Sequence, residues 1–164
     1  MKIYGVTGWK NSGKTHLTER LVADLTGRGL RLSTIKHAHH ATDIDQPGRD
    51  SYRHREAGAH EVIVASPHRW AMMHELRGAS EPALEDLVAR LSPVDLVLVE
   101  GYKRAPHPKI EAHRSETGRP LLAADIPSVR AVASNAALGG LSVPLFDLND
   151  TGLIADFILA EVGL

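Results

Sequence analysis

Apolar and polar positions fall into blocks along this chain, and the blocks change period. Residues 3–6 form a short apolar run of strand type. Leu17, Leu21, Val22 and Leu25 then recur at helical spacing and mark one face of a helix, which Gly27 and Gly29 stop. Residues 31–36 predict a second strand. Residues 37–48 are polar and carry Asp43, Asp45, Pro47 and Gly48, the composition of a loop. Asp50 is a good N-cap for a helix running to Ala57, with Gly58 as its stop. Residues 61–65 and 70–76 predict two strands. Leu84, Leu87, Val88 and Leu91 predict an amphipathic helix with Ser80 as cap and Pro82 in its first turn.

The second half repeats the alternation. Residues 94–99 are almost continuously apolar, the mark of a central parallel strand covered on both faces. Residues 109–112 and 129–133 predict further strands, and 144–146 a short one. Asn149 or Asp150 caps a last helix whose apolar face is Leu153, Ile154, Phe157 and Ile158. Strands alternating with helices predict an α/β fold: a three-layer domain with a mostly parallel, partly mixed sheet. No internal repeat or linker interrupts the pattern, and 164 residues are most simply one domain, 1–164.

Between the first strand and the first helix stands Gly8-Trp9-Lys10-Asn11-Ser12-Gly13-Lys14-Thr15. This fits G-x-x-x-x-G-K-[ST], the phosphate-binding loop of nucleoside triphosphate-binding proteins. Glycines at Gly8 and Gly13 let the backbone turn tightly, so that amide N–H groups, those of Asn11 and Ser12 among them, form an anion-binding concavity. The following helix points its positive dipole end at the same place. Lys14 is expected to reach the β- and γ-phosphates, and the Thr15 hydroxyl to take one position on Mg²⁺. Strand, loop and helix stand in the order this mechanism demands, so the expected three-layer fold is P-loop NTPase-like.

A phosphate loop needs an acid on the metal side. Glu100 follows the apolar run, at the carboxyl end of a buried strand, where open α/β sheets bind ligands. It is the candidate metal ligand and catalytic acid; Asp95 lies ~17 Å away along the strand and reads as a strand-start residue. The loop after the second strand also lies at the carboxyl edge. It holds His37, His39 and His40 with Asp43, Asp45 and Asp50, and reads as a segment touching phosphate, Mg²⁺ or a second anionic ligand. Lys103, Arg104, His107 and Lys109 follow Glu100 and are candidates to receive an anionic substrate. Trp9 is unusually bulky for a phosphate loop; it either stacks on a ligand or covers the loop.

Composition narrows the classes. A formal net charge of −1 provides no field for nucleic acid or an anionic membrane. No apolar run approaches the ~18 residues of a membrane span. The first residues enter a strand without a signal-peptide pattern, and cysteine is absent, which removes disulfides and thiol chemistry. A cytoplasmic protein is expected. The residues leave three readings open: an accessory nucleotide-binding protein, a small-molecule kinase and a metal-delivering GTPase.

Further segments carry a resemblance. They are Lys36-His37-Ala38-His39-His40, Asp45-Gln46-Pro47-Gly48-Arg49-Asp50-Ser51, Ile63-Val64-Ala65-Ser66, Arg69-Trp70-Ala71, Leu98-Val99-Glu100-Gly101-Tyr102-Lys103 and Ala131-Val132-Ala133-Ser134. Together with the phosphate loop, and in this order over nearly the whole chain, they resemble the molybdopterin-guanine dinucleotide biosynthesis adapter family, MobB. The resemblance implies a GTP- and Mg²⁺-binding protein, usually a homodimer, with weak intrinsic GTPase activity. It implies a guanylyltransferase partner that joins GMP to molybdopterin, and molybdopterin or a related anionic intermediate as second ligand. By position it gives phosphate and Mg²⁺ to Gly13, Lys14 and Thr15 and the metal-side acid to Glu100. It faces the 37–51 loop, with His37, His39 and Asp50, toward the nucleotide or the cofactor intermediate, and places Ser134 and Asn135 near the base. Asn135 stands where the family often carries aspartate, so an amide replaces the carboxylate that guanine N1 and N2 would meet. The N-K-x-D guanine signature of Ras-like GTPases is absent.

Overall fold

The structure is a computed structural model and describes residues 1–38 and 43–164. The chain divides into two compact units: residues 1–37 with 84–164, and residues 38–83.

The first unit is built on six strands: β1 (Lys2–Thr7), β2 (Leu32–Lys36), β5 (Leu96–Glu100), β6 (Lys109–His113), β7 (Val129–Ser134) and β8 (Leu145–Asp147). They pair in the order β2-β5-β1-β6-β7-β8. Every pairing is parallel. Carboxyl ends of neighbouring strands therefore share one edge, the edge on which Thr7, Lys36, Glu100, His113 and Ser134 end their strands.

Alternation within β5 explains why all of it is buried. Leu96 and Leu98 point to one face and join Tyr4, Val6, Ile110, Ala112, Ala131 and Ala133. Helices α1 (Lys14–Gly27) and α4 (Thr151–Val162) cover that face with Leu17, Leu21 and Leu25 and with Ile154, Ala155 and Ile158. Each such leucine or isoleucine contributes about 1.5–3 kcal/mol by leaving water. Val97 and Val99 point the other way and pack with Leu84, Ile3, Ile35, Val88 and Leu91 beneath α3 (Leu84–Ala89). This is the three-layer arrangement expected from the alternation.

The two long helices begin differently. At α4 the Asp150 carboxylate accepts from Leu153 N, an N-cap as the sequence predicts. At α1 the N-cap is Gly13, in the left-handed region with φ 94°, and no side chain caps it. The first-turn donors of α1 are left to another partner.

The second unit contains α2 (Asp50–Glu56) and an antiparallel hairpin of β3 (Glu61–Ala65) and β4 (Trp70–His74). The antiparallel part of the expected sheet lies here, while the main sheet is wholly parallel. Asp50 is the first helical residue rather than the cap; Arg49 holds the cap position without a side-chain hydrogen bond. Helix α3 starts at Leu84, too late for Ser80 to cap it, and β4 ends two residues before Leu76. Arg55 organises the unit: its guanidinium meets Asp43, Asp45 and Glu75 at 2.7, 3.3 and 2.8 Å. Among the described residues no helix is long and apolar enough to cross a membrane.

Candidate functional site

The carboxyl edge of β1 leads into the glycine-rich loop. Gly8 has φ 144°, and a methyl group there would lie 2.4 Å from the Ala112 carbonyl oxygen and from Ser12 Oγ. Only glycine fits both the backbone angle and the close approach to β6. Asn11 also takes a positive φ, 66°. The loop thereby arrives at the open start of α1, where the unspent N–H groups and the helix dipole favour an anion.

Lys14 arches back over the loop, its ammonium donating to the Trp9 carbonyl at 2.7 Å. Burial holds this ammonium below the usual lysine range, and neighbouring Lys103 and Lys36 act in the same direction against the opposing charge of Glu100. The Thr15 hydroxyl donates to Glu100 Oε1 at 2.9 Å. Lys36, the last residue of β2, places Nζ 3.2 Å from the same carboxylate oxygen and 3.2 Å from Thr15 Oγ1. Glu100 is mostly buried, with a side chain 10% exposed, while Lys36 is exposed. Three adjacent strands thus contribute to one point: the loop after β1, Lys36 from β2 and Glu100 from β5. Asn11, Gly13, Lys14, Thr15 and His16, with Arg114 from the turn after β6, line an open depression of ≈ 500 Å³.

His37 donates its backbone N–H to the Glu100 carbonyl at 2.9 Å, and its ring lies 4.6 Å from that of Tyr102. Gly101, with φ 99°, admits this crossing: a methyl group there would stand 3.0 Å from His37 Cβ. His39 and His40 lie outside the described residues. Asp50 is exposed in the second unit and lies 3.9 Å from Arg53. Ser134 ends β7 on the carboxyl edge, Asn135 follows it, and both line a separate depression of ≈ 300 Å³. Ser134 Oγ lies 3.2 Å from His113 Nδ1. The Asn135 amide donates to both Glu116 oxygens, at 2.8 and 2.9 Å, and accepts from Ser115 N. That amide holds the turn after β6 in place.

One expectation is corrected. Lys109 and His107 do not stand ready on the surface for an anion. Strand alternation turns Lys109 into the covered side of β6, where it is fully buried and donates to the Ala105 carbonyl and Ser128 Oγ. Burial pushes its ammonium down to about 8. His107 packs over Gly5, and burial, followed by repulsion from Lys109, lowers it to about 4. Of its two readings, Trp9 takes the covering one: its indole N–H donates to the Pro120 carbonyl at 2.8 Å, and Lys103 Nζ sits 4.0 Å from its ring centroid.

Lys36 and Arg114 are the site residues that periodicity did not nominate. Lys36 ends a predicted strand, so its place at the carboxyl edge was legible. Arg114 lies two residues beyond the end predicted for its strand, and only the pairing of β6 with β1 brings it to the phosphate loop.

Comparison with known proteins agrees with this arrangement. The model of the MobB family, molybdopterin guanine dinucleotide synthesis protein B, matches residues 3–135. A molybdopterin-guanine dinucleotide biosynthesis adapter protein of Haemophilus influenzae is 44% identical over 159 residues, 95% of this chain and 86% of that protein. Its namesake from Escherichia coli is 44% identical over 92% of this chain and 87% of that protein. Among solved structures, Bacillus subtilis MobB superimposes with a TM-score of 0.79 at 25% identity, covering 99% of this chain and 98% of that one. A MobB homologue from Bacillus stearothermophilus gives 0.73 at 30% identity, covering 99% of each. A match of this extent, on a chain whose phosphate loop, strand-end acid and parallel sheet are already accounted for, means that the chain belongs to the MobB family.

Proposed function

We propose that this chain is a GTP-binding adapter of molybdenum cofactor biosynthesis. It works with the guanylyltransferase that joins GMP to molybdopterin, and its own GTP hydrolysis is slow. The observation that carries the reading is the pairing of an uncapped α1 behind a glycine-rich loop with the Thr15–Glu100 contact at 2.9 Å. The first receives phosphate; the second offers hydroxyl and carboxylate oxygens to a hard cation. Thr15 and Glu100 fit Mg²⁺, which binds through one or two carboxylates and the substrate's own phosphates. When bound, the ion neutralises charge on the β,γ-oxygens.

This chain's own groups do the rest. The loop amides and Lys14 orient the polyphosphate, and Glu100 holds the metal side and the approach of water. Tyr102 and Lys103 follow Gly101, where a water-positioning glutamine would be needed, so the isolated chain is a poor hydrolase. Guanine as the base follows from the family, whose named product is a guanine dinucleotide. A cytoplasmic homodimer is the working form. Its support is the β3–β4 hairpin, which exposes Ile63, Trp70 and Met72 on one face.

The test uses the purified chain. GTP should bind more tightly than ATP, and more tightly with Mg²⁺ than without. Turnover alone should stay below the ~1–100 s⁻¹ typical of kinases. Addition of the chain to guanylyltransferase, molybdopterin and GTP should raise the yield of dinucleotide cofactor. Fast γ-phosphate transfer to a small acceptor would instead make it a kinase, and an unchanged yield would remove the adapter role.

A further inference from the structure

We propose that Arg114 is a second cation of the nucleotide site, supplied by the same chain and directed at the α/β-phosphate end of the bound polyphosphate. This rests on the nucleotide-binding reading above and adds to it a residue that no phosphate-loop motif contains.

The placement follows from strand alternation. Ile110 and Ala112 of β6 point into the core shared with α1. Arg114 continues that row beyond the end of the strand, with extended backbone at φ −128° and ψ 127°. Past the carboxyl edge the row no longer meets the body of α1; it meets its N-cap, Gly13. A methyl group built on Gly13 would lie 3.2 Å from Arg114 Nε and 3.8 Å from Nη2. The guanidinium therefore lies against the one loop residue whose missing side chain leaves room for it. With Lys14, Thr15 and His16 it lines the ≈ 500 Å³ depression at the start of α1.

The backbone that carries Arg114 is held. Its carbonyl accepts from Thr117 N and Thr117 Oγ1, while Asn135 fastens the turn through Ser115 N and the Glu116 carboxylate. The side chain is not spent in this way. Among the described residues no hydrogen bond or ion pair engages its guanidinium, whereas those of Arg20, Arg28, Arg55, Arg77 and Arg130 are each committed to carbonyls or carboxylates. Glu116 is near enough to feel its charge, but that carboxylate is clasped by Asn135. A half-buried planar cation with its donors uncommitted, beside a concavity of backbone N–H groups, suits a phosphate in bidentate geometry.

The neighbours specify which phosphates. Loop amides around Gly13 cradle the α- and β-phosphates, and the loop lysine reaches β and γ. Arg114 sits on Gly13 beside Thr15 and His16, at the α/β end. It retains GDP as firmly as GTP and does not act on the γ-phosphate.

Calorimetric titration of GTP and of GDP into wild type, Arg114→Gln, Arg114→Lys and Lys14→Ala decides this, with the melting temperature of each nucleotide-free protein. Arg114→Gln should weaken both nucleotides by the same factor, on the order of 10- to 100-fold. Arg114→Lys should recover part of the loss, and the nucleotide-free melting temperatures should coincide. Unchanged affinity overturns the proposal. So does a loss confined to GTP, which would place Arg114 at the γ-phosphate, or a loss accompanied by a lower nucleotide-free melting temperature, which would make the residue structural. Lys14→Ala separates the two levels of inference. If it loses nucleotide and Arg114→Gln does not, only the Arg114 assignment fails; if wild type binds neither nucleotide, the functional reading fails with it.

Discussion

Lys36 Nζ lies 3.2 Å from Glu100 Oε1, on the carboxylate oxygen that also accepts the Thr15 hydroxyl 2.9 Å away. A cation from β2 and a hydroxyl from α1 therefore share one oxygen of the buried acid at the end of β5. A divalent ion arriving with phosphate would share the Thr15 and Glu100 oxygens and shift the exposed Lys36 ammonium outward. Removing the charge of Glu100 should thus cost metal dependence before it costs nucleotide. Glu100→Gln is expected to bind GTP in the absence of Mg²⁺ as wild type does, and to lose the Mg²⁺-dependent part of hydrolysis by about 100-fold or more. Single-turnover hydrolysis with and without Mg²⁺ checks it; an undiminished Mg²⁺ effect would move the metal role to another acid.

Lys14→Ala removes an ammonium that donates to a carbonyl of its own loop, that of Trp9, at 2.7 Å. Little folding stability depends on that contact, but a charge-assisted contact to phosphate is worth about 1.5–3 kcal/mol. GTP affinity should fall roughly 10- to 100-fold while the melting temperature stays within a few degrees. Titration of a fluorescent GTP analogue measures it, and equal affinities would refute the phosphate-loop assignment.

Gly8→Ala tests the backbone of the loop. The added methyl group would meet the Ala112 carbonyl, part of a strand that cannot swing aside, at 2.4 Å. Overpacking of this kind costs about 1–3 kcal/mol, to which the positive φ adds. The variant should melt several degrees lower and bind GTP poorly even at temperatures where it is folded. Wild-type melting and affinity together would mean that the loop has room the structure denies it.

His107 sets a pH dependence of stability. Burial first, and the Lys109 charge second, depress it from 6.5 to about 4 in the folded protein, with Glu85 opposing weakly. Between those values the unfolded chain binds the proton and the folded chain does not. Its contribution is therefore fully present above about 6.5 and is lost as pH falls toward 4, at no more than about 1.4 kcal/mol per pH unit. Urea unfolding of wild type and His107→Gln from pH 7.5 to 4.5 should diverge in that window, with wild type losing more. Parallel curves would show that the ring is solvated or paired.

The phosphate loop, the acid at the end of the apolar run and the α/β alternation were legible in the chain because each depends on local rules. Gly8, Gly13 and Lys14 obey a fixed spacing set by phosphate geometry, and the 94–99 run is apolar throughout because a central strand has no exposed face. The antiparallel hairpin at Glu61–Ala65 and Trp70–His74 was legible as two strands but not as a pair apart from the main sheet, since periodicity says nothing about which edges pair. Lys109 and His107 read as basic residues open to an anionic substrate. Only the covering of β6 shows them buried, and only Gly5 opposite leaves space for the ring. The resemblance places Asn135 near the base; that its amide is held by Glu116, 19 residues earlier, only the tertiary structure shows. Arg114 lay outside every motif, because its position depends on the pairing of β6 with β1, which lets the last residue of an apolar row reach the start of α1. Local spacing determined the chemistry of the loop; long-range pairing, driven by burial of strand faces, decided which distant side chains share its site.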